Sequence, residues 1–227
     1  VDEAEMGLVR AGLSAFYVPC AGHEAMAALP QILGASDWLH CHYRDRAVVI
    51  ARGVGLDTFF LDALSKTTAK AGGRRMPGFP CERRLNILST PTVVGNNGVQ
   101  AVGVAQVVRD QPTNPVVYCG VGDGSTQQGE FFEAVAEAVR HTVPVLFVVQ
   151  DNQFALSTPT AGKTFYSLPT GDAKDFLGLP IIRLDGTDVP AVHDTLADVV
   201  DRMRQDPRPA LVLLTVERLR SHTSSDD

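Results

Sequence analysis

Cysteine is scarce and unpaired in this chain: Cys20, Cys41, Cys81 and Cys119 stand far apart, and no Cys-x-x-Cys pair occurs. That excludes the common zinc spacings and a disulfide framework, and the four residues are expected to be free, buried thiols. His40-Cys41-His42 sets two imidazoles close together, but no further ligand follows at a spacing that completes a metal site. Long apolar runs are missing as well. Stretches such as 143–149 fall far short of the roughly 20 residues that span a bilayer. Positive charge is in the minority: 20 Lys and Arg against 26 Asp and Glu give a formal charge of −6, with no basic cluster, which argues against a nucleic-acid surface. There are no repeats, low-complexity tracts or long Pro/Ser linkers, and the first residues do not read as a signal peptide. Neither nucleic acid nor membrane is therefore expected as a partner, and the expected location is cytoplasmic.

What is present points to an α/β protein. At 227 residues the chain suits one domain, 1–227, large enough to bury a core. Residues 4–33 read as helical with Gly34 as a stop, 38–42 as a short strand, and 47–64 as helix apart from its glycines. Residues 65–88 are polar and rich in Gly, Pro and Arg, which predicts a long loop. A helix is expected over 93–109, a short strand over 181–184, a helix over 189–205 and a last strand over 211–216. Helices alternating with strands favour a parallel sheet with helices on both faces.

The most informative segment is a β-α-β unit. Apolar runs at 116–121 and 143–150 flank a helix at 129–141, in which Phe131, Phe132, Val135, Ala138 and Val139 recur on one face. The first run ends in Gly122-Asp123-Gly124 and the second in Asp151-Asn152. In a parallel sheet both ends reach the carboxyl edge, where ligands bind. A carboxylate and an amide oxygen are hard ligands suited to Mg²⁺ or Ca²⁺, and Mg²⁺ commonly completes its shell with substrate phosphates. The glycines leave room for a phosphate, and the amides of Ser125 and Thr126 are placed to point at it. Two rival motifs fail. Gly120-Val121-Gly122 begins a dinucleotide fingerprint whose third glycine falls on Ser125, and Gly162-Lys163-Thr164 lacks the P-loop's earlier glycine, having Ser157 there; it reads as an exposed loop.

Gly122-Asp123-Gly124 with Asp151-Asn152 resembles the Gly-Asp-Gly to Asn-Asn signature of thiamine-diphosphate enzymes, Asp151 standing for the first Asn. Further stretches follow in order: Gly22-His23-Glu24-Ala25, His42-Tyr43-Arg44-Asp45-Arg46, Gly73-Arg74-Arg75-Met76-Pro77, Arg84-Leu85-Asn86 and Gln100-Ala101-Val102-Gly103. After the metal motif come Ser157-Thr158-Pro159-Thr160, Leu184-Asp185-Gly186-Thr187-Asp188-Val189, Arg218 and His222-Thr223-Ser224-Ser225-Asp226-Asp227. Their order and spacing, over almost the whole chain, resemble the alpha subunit of the decarboxylating component of 2-oxo acid dehydrogenases, the family of the pyruvate, branched-chain and acetoin enzymes.

The resemblance implies a thiamine-diphosphate-binding fold of the diphosphate type, with thiamine diphosphate and Mg²⁺ as cofactors. It implies metal ligation by Asp123, Asn152 and the main-chain carbonyl of Phe154. By the same resemblance Tyr43 and Arg44 meet the diphosphate, main-chain groups of Thr92 and Val94 meet the aminopyrimidine, and Gly122, Gly124 and Ser125 lie against the cofactor. His222 would reach the cofactor and the lipoyl substrate, with Arg218 ordering its loop, and these two are the implied catalytic residues. The implied reaction is oxidative decarboxylation of a small 2-oxo acid with acyl transfer to the lipoyl domain of an acyltransferase. A beta subunit or domain would supply the glutamate that activates the cofactor, in an assembly of the α2β2 type, and the chain alone would be inactive. Gln150 stands where some relatives carry Arg, Phe79 where a histidine is common, and Asn96 and Asn97 where some relatives hold a monovalent cation with Thr and Gln. Thr223, Ser224 and Ser225 resemble a phosphorylation loop of mitochondrial relatives. The Gly-His-Glu-Ala and Tyr-Arg-Asp-Arg variants resemble relatives with fused alpha and beta parts, and the domain is expected to be incomplete at both ends. A split transketolase-like ketol transferase and a non-catalytic subunit that keeps the fold stand as alternatives.

Overall fold

The computed structural model describes residues 1–226. In chain order its strands are β1 (Trp38–His40), β2 (Val117–Gly122), β3 (Val145–Asp151), β4 (Phe154–Ala155), β5 (Thr158–Pro159), β6 (Ser167–Leu168), β7 (Gly171–Asp172), β8 (Asp175–Phe176), β9 (Leu179–Asp185) and β10 (Ala210–Thr215). Its helices are α1 (Asp2–Arg10), α2 (Leu29–Ile32), α3 (Arg46–Ala51), α4 (Leu56–Ala63), α5 (Asn96–Val108), α6 (Gly129–His141) and α7 (Val189–Gln205). Six strands form one sheet in the order β1-β2-β3-β10-β9-β8, parallel except for the short antiparallel edge strand β8. This is the α/β architecture expected from the alternation of elements.

The side chains of β3 show how the sheet is covered. Leu146 and Val148 point into one core with Met26, Leu29, Val48, Leu196 and Val200, whereas Phe147 and Val149 point into the other with Ala101, Val102, Phe131 and Val135. Strand side chains alternate with a period of two, so a strand buried on both faces is apolar along its length, as β2 is and as β3 is from Val145 to Val149, before it ends in Gln150 and Asp151. The register pairs Gly122 with Gln150 and Asp151 with Thr215. The ends of β2, β3 and β10 therefore lie side by side at the carboxyl edge.

Several expectations need correction. Residues 4–33 are not one helix. α1 ends at Arg10, and an irregular stretch leads to a 3₁₀ turn at Glu24–Ala28 before α2. Gly12 and Gly22, both at positive φ, break the helical path, and a Cβ at Gly22 would strike the main chain at Glu217. α5 starts at Asn96 rather than Val93, because Gly95 precedes it in a left-handed conformation. On α6 the buried stripe is Phe131, Ala134, Val135 and Ala138; Phe132 and Val139 lie outside it, exposed. Phe132 instead meets the ring of Phe176 edge-on, 5.1 Å away. The residues after Asn152 fold into two small hairpins, β4-β5 and β6-β7, that no run of apolar residues announces. β9 is longer than 181–184, since its first residue pairs with β8.

Other expectations hold. The glycines do divide 47–64, with Gly53 at positive φ between α3 and α4. Residues 65–88 form a loop apart from one 3₁₀ turn at Arg83–Leu85 and bridges from Ile87 to Leu39 and Glu82. The four thiols are free; Cys20, Cys41 and Cys119 are buried and Cys81 is half-buried. Lys163 is exposed and bonds Pro159 O, as a surface loop would, although Thr164 beside it is buried. Among the described residues no helix is long and apolar enough to cross a membrane.

Candidate active site

A cavity of about 290 Å³ opens at the carboxyl edge where β2 and β3 end. Ten of the residues that the resemblance assigns to the site line it. Gly122, Asp123, Gly124 and Ser125 come from the end of β2, Asn152 and Phe154 from beyond β3, Tyr43, Arg44 and Val94 from two loops, and His222 from the last segment. Thr92 is exposed and outside the lining, and Arg218 is half-buried behind it.

Asp123 is 2% exposed, and the Thr160 hydroxyl donates to its Oδ2 at 2.8 Å. Burial pushes its pKa up to about 6, against the Thr160 bond and with the Asp151 carboxylate adding to the rise. No salt bridge reaches Asp123 among the described residues; the groups bonded to it are the Thr160 hydroxyl and the Gly124 amide, with the Asp151 carboxylate nearby and the Arg218 charge farther off. Asn152 accepts the Phe154 amide N–H on Oδ1 at 3.2 Å, which sets its oxygen within the turn leading to Phe154. Asp151 accepts the Gln153 amide at 2.8 Å, and Gln153 and Leu156 take left-handed conformations that fold β4 back toward the cavity. The close approach explains Gly124: a Cβ there would meet the Ala155 Cβ at 2.7 Å. The Thr126 amide does not point at a ligand. It is spent on Asp123 O at 3.1 Å, closing the 3₁₀ turn Gly124–Gln127.

Arg44 is fully buried and links three parts of the chain. Nη1 donates to Pro19 O, and Nη2 donates to His222 O at 2.9 Å and faces His222 Nδ1 at 2.8 Å. An Arg nitrogen is only a donor, so Nδ1 of His222 accepts and the ring is neutral; burial, with Arg44 alongside, lowers its pKa to about 4. Tyr43 lies between the rings of His42, Phe79 and His222, which gives Phe79 an aromatic contact 6.1 Å from Tyr43. Arg218 donates to Leu156 O at 2.7 Å and lies over the Phe154 ring, bracing the β4 turn, and the Asp226 carboxylate of the 222–226 segment acts on its charge. That segment is also held by Tyr17, whose carbonyl accepts the Ser224 amide at 3.2 Å, while Thr223 bonds Asp226. Asn97 spends its amide on Gly120 O at 2.7 Å, and Asn96 accepts from Gln100.

Two residues were named from the sequence only within motifs, without a role at the cavity. His42 accepts the Arg44 amide on Nδ1 at 3.4 Å, and its Nε2 is buried without a hydrogen-bond partner beside Gly122 at the cavity wall. Burial holds its pKa well below the usual value, so the ring is neutral and Nε2 carries the hydrogen, an unused donor beside Gly122. Thr160 was read only as part of a motif, although it holds Asp123.

A sequence model described as "Dehydrogenase E1 component" matches residues 1–227. The chain belongs to this family. It is 32% identical over 228 residues to a protein of Staphylococcus aureus (strain Mu50) named pyruvate dehydrogenase E1 component subunit alpha, covering 100% of this chain and 59% of that protein. It is 29% identical over 230 residues to 2-oxoisovalerate dehydrogenase subunit alpha of Bacillus subtilis, covering 69% of it, and 31% identical to 3-methyl-2-oxobutanoate dehydrogenase subunit alpha of Mycobacterium tuberculosis, covering 59%. This E1 chain thus spans little more than half the length of several curated relatives. The relatives' names divide between different 2-oxo acids, so family membership leaves the substrate open.

Proposed function

We propose that this chain binds the diphosphate end of thiamine diphosphate with Mg²⁺ and serves as the alpha part of an enzyme that oxidatively decarboxylates a small 2-oxo acid and passes the acyl group to a lipoyl domain. The observation that carries the reading is the convergence of Asp123, Asn152, Arg44 and His222 on one cavity at the carboxyl edge. The residues present fit the cofactor. A buried carboxylate with no salt-bridge partner suits Mg²⁺, and an unpartnered imidazole N–H at His42 suits a phosphate oxygen.

Asp123, the Asn152 side-chain oxygen and the Phe154 carbonyl would hold the metal. His42, Tyr43 and the positive charge of Arg44 would face the diphosphate, with Gly122, Gly124 and Ser125 giving it main-chain contact. Val94 lines the same cavity and, with Thr92 two residues before it, would present main-chain groups to the aminopyrimidine. When bound, thiamine diphosphate supplies the electron-accepting centre at which a 2-oxo acid loses carbon dioxide. The chain's own part is anchoring and orientation. His222, held neutral with its Nδ1 accepting from Arg44, carries its hydrogen on Nε2 and can donate a hydrogen bond from there, and Arg218 steadies the turn that carries Phe154. A beta subunit or domain in an α2β2-type assembly would complete the site, and the lipoyl domain of an acyltransferase would take the product.

The test uses the native assembly with thiamine diphosphate, Mg²⁺, a panel of 2-oxo acids and a lipoylated domain. Carbon dioxide release coupled to acyl-lipoyl formation is expected. Ketose turnover without carbon dioxide release would assign the chain to ketol transfer, and loss of both activities in an assembly that binds the cofactor would leave a non-catalytic subunit.

A further inference from the structure

We infer that Asp45, Gln150 and His23 form a chain of hydrogen bonds with one allowed polarity, and that this chain fixes which end of the Asn152 side-chain amide is presented to a metal. The inference rests on the proposed role of Asn152 as a metal ligand. None of the three residues lines the cavity, so each acts through Asn152 as a positioning residue.

The order can be followed from the buried end. Asp45 is fully buried; its Oδ2 accepts the His42 amide at 2.6 Å and the Tyr118 hydroxyl at 3.0 Å, and its Oδ1 accepts from Gln150 Nε2. A carboxylate taking three donors has none to give, so the NH₂ end of Gln150 must face it. Gln150 Oε1 then points the other way, 2.7 Å from His23 Nδ1. That nitrogen must carry the hydrogen, which leaves the lone pair of a neutral imidazole on Nε2. Nε2 faces Asn152 Nδ2 at 3.4 Å, so the NH₂ of Asn152 is drawn to it and Oδ1 is turned away.

The other end gives the same answer independently. The Phe154 amide can only donate, and it donates to Asn152 Oδ1 at 3.2 Å. A flipped Asn152 would set two donors together at Phe154 and two lone pairs together at His23. Orientation matters because an amide oxygen ligates a hard cation and an amide nitrogen does not. The strand is built to admit this chain: a Cβ on Gly120 would collide with Asp45 Oδ2 and the Tyr118 hydroxyl. The His23 and Gln150 identities are matched to each other, since Gln150 can show donor to Asp45 and acceptor to His23 at once.

Two measurements on the native assembly test this. With uniformly ¹⁵N-His-labelled, metal-free protein, the ring signals lost in His23→Gln should report a neutral Nδ1–H tautomer; an Nε2–H tautomer or an imidazolium at neutral pH overturns the inference. Mn²⁺ binding in the presence of thiamine diphosphate, followed by electron paramagnetic resonance, should weaken about tenfold or more in His23→Leu and Gln150→Leu, the size usual for groups that orient metal ligands. His23→Gln, whose amide can keep the same donor and acceptor order, should stay within about threefold of wild type. Wild-type Mn²⁺ affinity in both leucine variants, shown folded by an unchanged melting temperature, overturns the inference. A wild type with the Nδ1–H tautomer that binds no Mn²⁺ overturns the cofactor reading itself, and with it the role given to this chain.

Discussion

The Thr160 hydroxyl donates to Asp123 Oδ2 at 2.8 Å across the gap between the β4-β5 hairpin and the end of β2. One oxygen of the carboxylate is thereby fixed by the protein. Thr160→Val keeps the shape and removes the donor. It should destabilise the metal-free assembly by about 1–3 kcal/mol, the cost of leaving a buried acceptor unpaired. Denaturant melts of the two proteins measure this; an unchanged midpoint would show that Thr160 does not hold Asp123.

Gly124→Ala should push the β4 turn away, because its Cβ would lie 2.7 Å from the Ala155 Cβ. Overpacking of this kind costs about 1–3 kcal/mol. Cofactor affinity should fall with it, and Gly124→Ala combined with Ala155→Gly should recover both. Isothermal titration of the single and double variants tests the pairing, and absence of recovery in the double variant would contradict it.

Arg44→Lys should loosen the 222–226 segment. A lysine can replace one of the bonds to Pro19 O, His222 O and His222 Nδ1, not the fork that makes all three. Faster amide hydrogen exchange over that segment, with little change in the sheet, is the expected result, and unchanged protection there would refute the link.

Asp45 predicts a pH dependence. Burial raises its folded-state pKa to about 6, above the value of roughly 3.9 for an unfolded chain. The folded state therefore binds this proton more tightly, so the contribution of Asp45 is fully present below about pH 4 and is lost as pH rises through about 6. The stability difference between wild type and Asp45→Asn should shift against wild type by about 3 kcal/mol across that window. Chemical melts at pH 4, 5, 6 and 7 give the slope; a difference independent of pH would contradict the burial argument.

Much of the cavity was legible because Asp123 and Asn152 directly follow mainly apolar runs. Those runs are the buried parts of β2 and β3, short enough and flanked closely enough by glycine and polar residues to read as strands, and the parallel register then brings the two residues together. What was hidden depends on single atoms. The Nε2 of His42, the hydroxyl of Thr160 and the His23–Gln150 bond are contacts between distant residues that no local pattern records. The hairpins after Asn152 escaped because two-residue strands carry no periodicity, and their turns depend on Gln153 and Leu156 adopting left-handed conformations rare for such residues. Residues 4–33 misled for the opposite reason: their apolar spacing is helical, but Gly12, Pro19 and Gly22 lead the chain across the carboxyl edge, where Pro19 O meets Arg44.

The central claim is that Asp123 anchors a metal-bridged diphosphate, and thermal stabilisation of the native assembly by thiamine diphosphate with Mg²⁺ tests it most directly. A ligand bound only by the folded state at about 100 times its dissociation constant adds about 2.7 kcal/mol of apparent stability. Wild type should melt at a clearly higher temperature with both present, and Asp123→Ala should show no shift. No stabilisation of the wild-type assembly, or an equal shift in Asp123→Ala, would contradict the account.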